Sequence, residues 1–577
     1  MHAKTDNKSH NLIAFSRLCL LACFLAATSL SSIAADKAAD RAAVRPQAGP
    51  KLIVVLVVDG LPQEQVVKYR EQYGQGGFRR LLEQGAWFGD AHQAHAVTVT
   101  AVGHAAILTG AYPYKHGIVE NYWADRTSLN SIYCAEDAAH TYIGEETKPG
   151  SGTSPANLRV NTLGDELRKE TSNQSRVVAV SGKDRGAIFL AGKTGTAYIY
   201  MGKSGHFASS TYYMKEHPEW QRRFTAGNPQ EKFYGKEWRP LLDEAVYTGD
   251  APDGSPGMNG GGFPFSYSSK SGRPDAEYYG KLYTGPYLDE LTLEFARAAI
   301  DGEKLGHNPA GVPDILGISL SSHDYINHSY GPESRMSHDH MLRLDRLLAG
   351  FLDDLDKRVG LDNTLVVLTA DHGFANSPEY SRSLHRDAER LDPKKMMEAL
   401  NDYLMLQFGV PKLAIKWFFP NFMLDYPAME KKGLNPELVE TAAAQFLQAY
   451  PGVAHTFTRS QLKARTLPKT RLSMLVQRGW NQERSGDIVV VTKPYWYFSS
   501  TSSRGATHGS PYAYDSNVPL MLLGKPWIKP GKLSQYAEVV DLVPTLAKLL
   551  RVSPPTMSEG RVLNEVLKLE PAPSEKR

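Results

Sequence analysis

The chain has 577 residues, 42% of them hydrophobic and 22% charged, far more than one stable core needs. Sixty-five basic residues stand against 62 acidic ones, for a net charge of +3. That balance is mild and interspersed, which gives no case for a nucleic-acid-binding stripe.

The first 34 residues read as a cleaved secretory signal. Lys4, Lys8 and Arg17 form a basic start, and Leu18 to Ala27 is an apolar stretch too short to span a bilayer. Ser32, Ile33 and Ala34 supply small residues for cleavage. The competing reading is a lipoprotein cut before Cys23. It is disfavoured because only five apolar-stretch residues separate Arg17 from Cys23. Cys19 and Cys23 leave with the signal, so the mature chain keeps only Cys134 and has no internal disulfide. Cys134 reads as a small buried hydrophobe. A secreted protein of this size without disulfides suits a periplasm. No later segment is apolar enough for stable membrane insertion. Residues 35–49 read as a flexible lead.

From Lys51 the pattern is strand, loop, helix, repeated. Apolar runs at 52–58, 177–180, 315–320, 365–369 and 519–523 predict buried strands of a parallel sheet. Helical spacing marks 284–301, 336–358 and 538–551. This alternation predicts a doubly wound α/β core, flanked by helices, in a single catalytic domain over 50–570. Two stretches interrupt it, at about 200–283 and about 375–485, and read as insertions that decorate the core. The second contains a helix capped by Asn435-Pro436 and a strand near Val453–Thr458. The glycines of GMNGGGFPF (257–265) read as a surface loop, since no Gly-Lys-Ser/Thr follows. Residues 571–577 read as a frayed tail.

Chemistry-bearing residues leave the C-terminal ends of the apolar runs, where the ligands of open α/β sheets gather. Asp59 ends LIVVLVVD; taken alone it would be a helix cap. Asp324 and His328 follow DILGISL, four apart, and on a helical turn both reach one ion. Asp371 and His372 follow TLVVLTA, an adjacent pair that is costly to bury unless a metal satisfies it. His508 lies in ATHGSP. Thr100 opens TAVGHAAILTG, which predicts a helix whose first turn points at the site and favours an alkoxide or phosphate; Thr98 competes for that role. Lys183, Asp184 and Arg185 follow VVAVS, as a solvated turn or as cations for a phosphoryl dianion. His338 and His340 are expected to be solvated. His92, His95 and His116 are expected to have no paired carboxylate and are left as structural.

These ordered signatures resemble the alkaline phosphatase superfamily, in its threonine-nucleophile branch of PafA-type periplasmic phosphatases related to nucleotide pyrophosphatase/phosphodiesterases. The resemblance runs from LIVVLVVDG to SNVPLMLLG and DLVPTLAKLL. It implies two zinc ions per chain, with Asp59, Thr100, Asp371 and His372 around one and Asp324, His328 and His508 around the other. It implies Thr100 as nucleophile through a phosphothreonine intermediate, and Asn121, in GIVENYW, as a contact to a phosphate oxygen. Lys183 and Arg185, in SGKDRGAIFLAG, match the pair that separates monoesterases from the diesterase relatives. No Cys-x-Pro-x-Arg sulfatase signature is present. The expected activity is hydrolysis of small-molecule phosphate monoesters, with a phosphodiesterase on the same site as the alternative. The natural substrate is not legible, and the oligomeric state is left open, a monomer being allowed.

Overall fold

The computed structural model describes residues 49–500 and 504–568. The expected signal, nearly all of the lead and the tail lie outside the described residues. Among those described, no helix is long and apolar enough to cross a membrane.

The strands are β1 (Leu52–Val58), β2 (Ala86–His92), β3 (Val177–Ser181), β4 (Thr196–Tyr200), β5 (Phe207–Ala208), β6 (Asp314–Leu320) and β7 (Thr364–Thr369). They continue with β8 (Ala414–Phe418), β9 (Asn421–Leu424), β10 (Val453–Thr458), β11 (Ile488–Thr492), β12 (Leu520–Leu523) and β13 (Gly531–Glu538). The helices that matter below are α1 (Thr100–Thr109), α2 (Asp184–Ala191), α3 (Pro286–Gly302), α4 (Ser322–Tyr330), α5 (Arg335–Arg358), α6 (Pro393–Phe408), α7 (Pro436–Gln448) and α8 (Leu542–Leu550).

One nine-stranded sheet forms the frame, in the order β13-β2-β12-β7-β1-β6-β3-β4-β5. Its centre is parallel: β1 pairs with β6 and β7, and β3 with β6 and β4. Every residue of β1 is fully buried, as a strand covered by helices on both faces must be. Fully burying each Val, Leu or Ile contributes about 1.5–3 kcal/mol, so these strands anchor the molecule. The run at 519–523 differs from expectation. Its strand β12 lies antiparallel to both β7 and β2. An apolar run reports burial on two faces, not chain direction.

A second sheet, β8-β9-β11-β10, is antiparallel throughout. With α6 and α7 it encloses its own core, including Leu400, Leu404, Phe422, Val439 and Ile488. Asn435 caps α7 by accepting the Glu437 N–H at 2.9 Å.

His338 and His340 are not solvated; both are buried on α5. His338 stacks on Tyr69 at 3.9 Å between ring centroids and meets Asp250 and Gln72 at 2.6 Å each. His340 lies 3.1 Å from His323 Nδ1 and 3.2 Å from Asp289 Oδ2. Their partners come from remote segments, so local sequence polarity misplaced them. His92, expected to have no paired carboxylate, does have one, and a local one: Asp90, two residues earlier in β2, at 2.8 Å.

Helix α1 lies directly on the backbone that ends β7. A Cβ added at Gly103 would overlap the carbonyl and Cα of Asp371. Backbone cannot yield as a flexible side chain can. Gly103→Ala is therefore expected to destabilise by about 1–3 kcal/mol or more. Gly249→Ala, which meets open space, should stay within about 0.5 kcal/mol of the parent. Denaturant midpoints of the two variants check this.

Candidate active site

The register of the central strands sets the site. Val57 lies opposite Ser319 and Thr369, and Ser319 opposite Ser181. The C-terminal ends of β7, β1, β6 and β3 therefore lie side by side. Each delivers its charged residues to one edge: Asp371 and His372, Asp59, Asp324 and His328, Lys183 and Arg185. Gly60 has a positive φ of 71°, and a Cβ there would stand 3.2 Å from the Asp324 side chain and 3.1 Å from Phe374. Glycine thus lets β1 end directly against α4.

Asp59, Asp371 and His372 are fully buried, and Asp324 and Thr100 are 1% exposed. His372 Nε2 is 3.5 Å from Asp59 Oδ1, 3.4 Å from Asp371 Oδ2 and 3.9 Å from Asp324 Oδ1. Asp324 Oδ1 in turn lies 3.4 Å from His328 Nε2 and 3.5 Å from His508 Nε2. Two groups of ligand atoms, Asp59/Asp371/His372 and Asp324/His372/His508, each lie within 4.8 Å of one another. His328 stands beside the second group, one helical turn after Asp324 on α4.

The histidine tautomers follow from the backbone. The Nδ1 atoms of His372, His508 and His328 face the carbonyls of Gly373, Thr98 and Ala506 at 2.8, 2.8 and 2.9 Å. A carbonyl only accepts, so each Nδ1 carries the proton and donates. Burial first, and neighbouring imidazoles for His508, lower the pKa of His372 and His508, which favours the neutral form of these rings. Their Nε2 lone pairs then face carboxylate oxygens. Asp59 Oδ1 and Asp324 Oδ1 are buried and accept no hydrogen bond among the described residues. Lone pairs aimed at carboxylate oxygens that accept no hydrogen bond, with Nδ1 fixed by a second partner, fit a divalent cation.

Lys183 supplies one positive charge among these carboxylates. Its Nζ lies 2.8 Å from Asp59 Oδ2, 2.5 Å from Asp324 Oδ2 and 3.4 Å from Thr100 Oγ1. It is 4% exposed, so the solvated-turn reading fails for it. Burial and the facing Asp371 push Asp59 well above the usual carboxylate range. Burial would raise Asp324 too, but His328 and Lys183 hold it well below that range. Burial would raise Asp371 as well, but the charge of His372 and His104 where they are protonated, the hydrogen bond from His104, and Lys183 hold it low.

Thr100 is the first residue of α1, with Val99 as the cap. Its Oγ1 lies 3.5 Å from His372 Nε2. The rival hydroxyl of Thr98 donates instead to Ser510 O at 2.7 Å. Asn121 Oδ1 accepts the Ala101 N–H at 3.0 Å, which ties it to the first turn of α1. Arg185, half-buried at the start of α2, donates to the Tyr133 hydroxyl at 3.2 Å. The structure thus brings Asp59, Thr100, Lys183, Asp324, His328, Asp371, His372 and His508 together, with Asn121 held from an adjoining loop and Arg185 from the first turn of α2.

Two residues have no role assigned from the sequence. His104, which ends the Thr-Val-Thr-Ala-Val-Gly-His signature one turn after Thr100, is fully buried. Its Nδ1 lies 2.9 Å from Thr100 O and 3.1 Å from Asp371 Oδ2, and its Nε2 2.8 Å from Ser319 Oγ. The i, i+4 spacing from Thr100 was the available signal. Glu120, buried beside Asn121, accepts that residue's N–H at 2.7 Å; nothing in its local sequence marks it.

Residues 53–511 match the family described as type I phosphodiesterase / nucleotide pyrophosphatase. The chain is 33% identical over 529 residues to a Myroides odoratus protein named calcium-transporting ATPase, covering 90% of this chain and 95% of that one. It is 34% identical over 526 residues to alkaline phosphatase PafA of Elizabethkingia meningoseptica, covering 90% and 94%. The crystal structure of wild-type alkaline phosphatase PafA matches with a TM-score of 0.82 at 32% identity, over 91% of this chain and 100% of that one. A crystallised variant of PafA is substituted at a threonine, an asparagine, a lysine and an arginine. Their mutual spacing equals that of Thr100, Asn121, Lys183 and Arg185.

Glu120 gives the site a measurable pH signature. Burial pushes its carboxyl from 4.5 up to about 8, against the pull of the Asn121 N–H and Arg185. Between those values the folded chain keeps a proton that the unfolded chain has lost, so stability falls as pH rises. Glu120→Gln removes this loss. The variant should gain on the parent by on the order of 5 kcal/mol across that window, read from denaturant unfolding at its two ends.

Proposed function

This chain belongs to the type I phosphodiesterase / nucleotide pyrophosphatase family, and within it we propose that it is an alkaline phosphatase that releases inorganic phosphate from small phosphate monoesters. The observation that carries the reading is a buried hydroxyl, Thr100, at a helix N-terminus beside two groups of Asp and His ligands and a buried lysine. The names of the relatives share one chemistry, the cleavage by water of a bond to phosphorus.

Two zinc ions would be held by Asp59, Thr100, Asp371 and His372, and by Asp324, His328 and His508. Bound there, zinc supplies Lewis acidity that favours alkoxide over alcohol and neutralises developing negative charge. The chain's own residues account for the rest. Thr100 Oγ forms the new bond to phosphorus as the ester oxygen leaves, giving a phosphothreonine. The N-terminus of α1 favours both the alkoxide and the phosphoryl group. Asn121, Lys183 and Arg185 bind the equatorial oxygens, where transition-state charge resides. Asn121 Oδ1 is held by the Ala101 N–H, which leaves its amide nitrogen to donate. Water then attacks phosphorus, Thr100 Oγ leaves and takes a proton, and phosphate is released. A chain with this activity and the expected signal would act in the periplasm or outside the cell.

The family's name keeps a diesterase reading alive, and charge separates the two. A monoester dianion carries nearly two charges, a diester one. Hydrogen bonds to charged groups are worth about 1.5–3 kcal/mol each, or about 10- to 100-fold in rate. Lys183→Ala and Arg185→Ala should slow a monoester by that factor and a diester with the same leaving group much less. An unchanged ratio of the two rates in both variants would sink the monoesterase reading. Thr100→Ala should lower turnover by several orders of magnitude and leave no trappable phosphoenzyme; a mild effect would mean the wrong hydroxyl has been chosen. Full activity in protein that elemental analysis finds free of metal would remove the metal assignment.

A further inference from the structure

Two ligand-bearing loops meet at a residue that the chemistry above does not use. His372 and His508 stack with ring centroids 3.5 Å apart and planes 13° from parallel. They come from positions far apart in sequence, and in the two-metal reading each belongs to a different ion. Their stacking therefore has to be enforced from outside the rings.

The short helix Ala513–Ser516 provides the enforcement. Asp515 is 1% exposed. Its Oδ2 accepts the Gly509 N–H at 3.1 Å, the Ser510 N–H at 2.8 Å and the Ser510 hydroxyl at 2.6 Å. One carboxylate oxygen thus gathers three donors from the turn that follows His508. The backbone of the same short helix reaches the other loop: Asp515 O accepts the Gly373 N–H at 2.6 Å, and Tyr514 O accepts the Phe374 N–H at 2.8 Å. The contact is tight enough that a Cβ at Gly373 would overlap the Tyr514 carbonyl. The Ser510 turn also accepts the Thr98 hydroxyl at 2.7 Å, and His508 Nδ1 lies 2.8 Å from Thr98 O, two residues before Thr100.

We propose that Asp515 is a positioning residue that clamps the His508 turn against the His372 loop, and so sets the spacing between the two metal positions. The proposal rests on the two-zinc reading. Among the described residues the Asp515 side chain bonds only to the His508 turn, while its backbone carbonyl acts on the His372 side. Removing the side chain should therefore weaken one ion selectively. A residue that merely stabilised the fold would weaken both or neither.

The test is chelator competition on the zinc-loaded full chain, following two dissociation steps and bound-zinc stoichiometry. His508→Ala identifies which step belongs to the ion held with Asp324. Asp515→Ala should weaken that same step by about 10- to 100-fold, the usual range for groups that orient metal ligands, and leave the other within a few-fold. Asp515→Asn, which keeps an acceptor oxygen, should recover part of the loss. Ser510→Ala, which deletes one of the three donors, should weaken the same step by a few-fold and carries the test if Asp515→Ala does not fold. Wild-type affinity at both steps in Asp515→Ala and Ser510→Ala, or equal weakening of both steps, overturns the proposal. If the parent protein itself binds no zinc, the two-zinc reading has failed instead, and the two failures are told apart by the parent alone.

Discussion

Everything at the functional edge depends on burying Asp59, Asp324 and Asp371 against one another. All three are 1% exposed or less. Two like charges 4 Å apart repel by about 4 kcal/mol at the effective dielectric of a protein pair, and three such groups compound the cost. Lys183 offers one compensating charge, placed between Asp59 and Asp324. The nearby imidazoles add none in their neutral form, in which each Nδ1 proton is donated to a backbone carbonyl and each Nε2 presents a lone pair. The cluster therefore calls for more positive charge than the chain brings to it, and the Oδ1 atoms of Asp59 and Asp324 mark where that charge belongs.

The fold makes such a cluster affordable by making it rigid. Three of its carboxylates follow β1, β6 and β7, whose residues are hydrogen-bonded neighbours in one parallel sheet with covered faces. Repulsion among the carboxylates cannot be relieved by separating these strands without exposing the most deeply buried apolar residues in the molecule. Helix α1 is pressed onto the same edge by the absence of a side chain at Gly103. The nucleophile candidate thus sits on an element that contacts the backbone of a ligand. His104 reinforces that link by reaching both the Thr100 carbonyl and the Asp371 carboxylate.

Much of this was legible in the chain. β1, β6 and β7 announce themselves as uninterrupted Val/Leu/Ile runs, and Asp59 and the Asp371-His372 pair lie within two or three residues of their ends. Asp324 and His328 reveal their shared face by a four-residue spacing. Less local features were not legible. The direction of β12 depends on its partners, not on its own apolar residues. His338 and His340 look like surface residues until Tyr69, Asp250, Gln72, His323 and Asp289 are brought against them. Glu120 and Asp515 carry no spacing signal at all, because what distinguishes them is burial beside backbone N–H groups contributed by folded turns.

The sequence alone determined which strands are buried on both faces, where they end, and that carboxylates, imidazoles and a threonine are gathered at those ends. Periodicity and residue chemistry are local properties, and local properties survive in a one-dimensional string. Tertiary structure alone decided that Lys183 lies between two aspartates, that Thr100 and not Thr98 turns its hydroxyl toward His372, and that His372 and His508 stack. Each of these is a distance between segments separated by tens to hundreds of residues. Such distances are fixed only when the sheet register and the packing of α1 and α4 leave each side chain a single place to go.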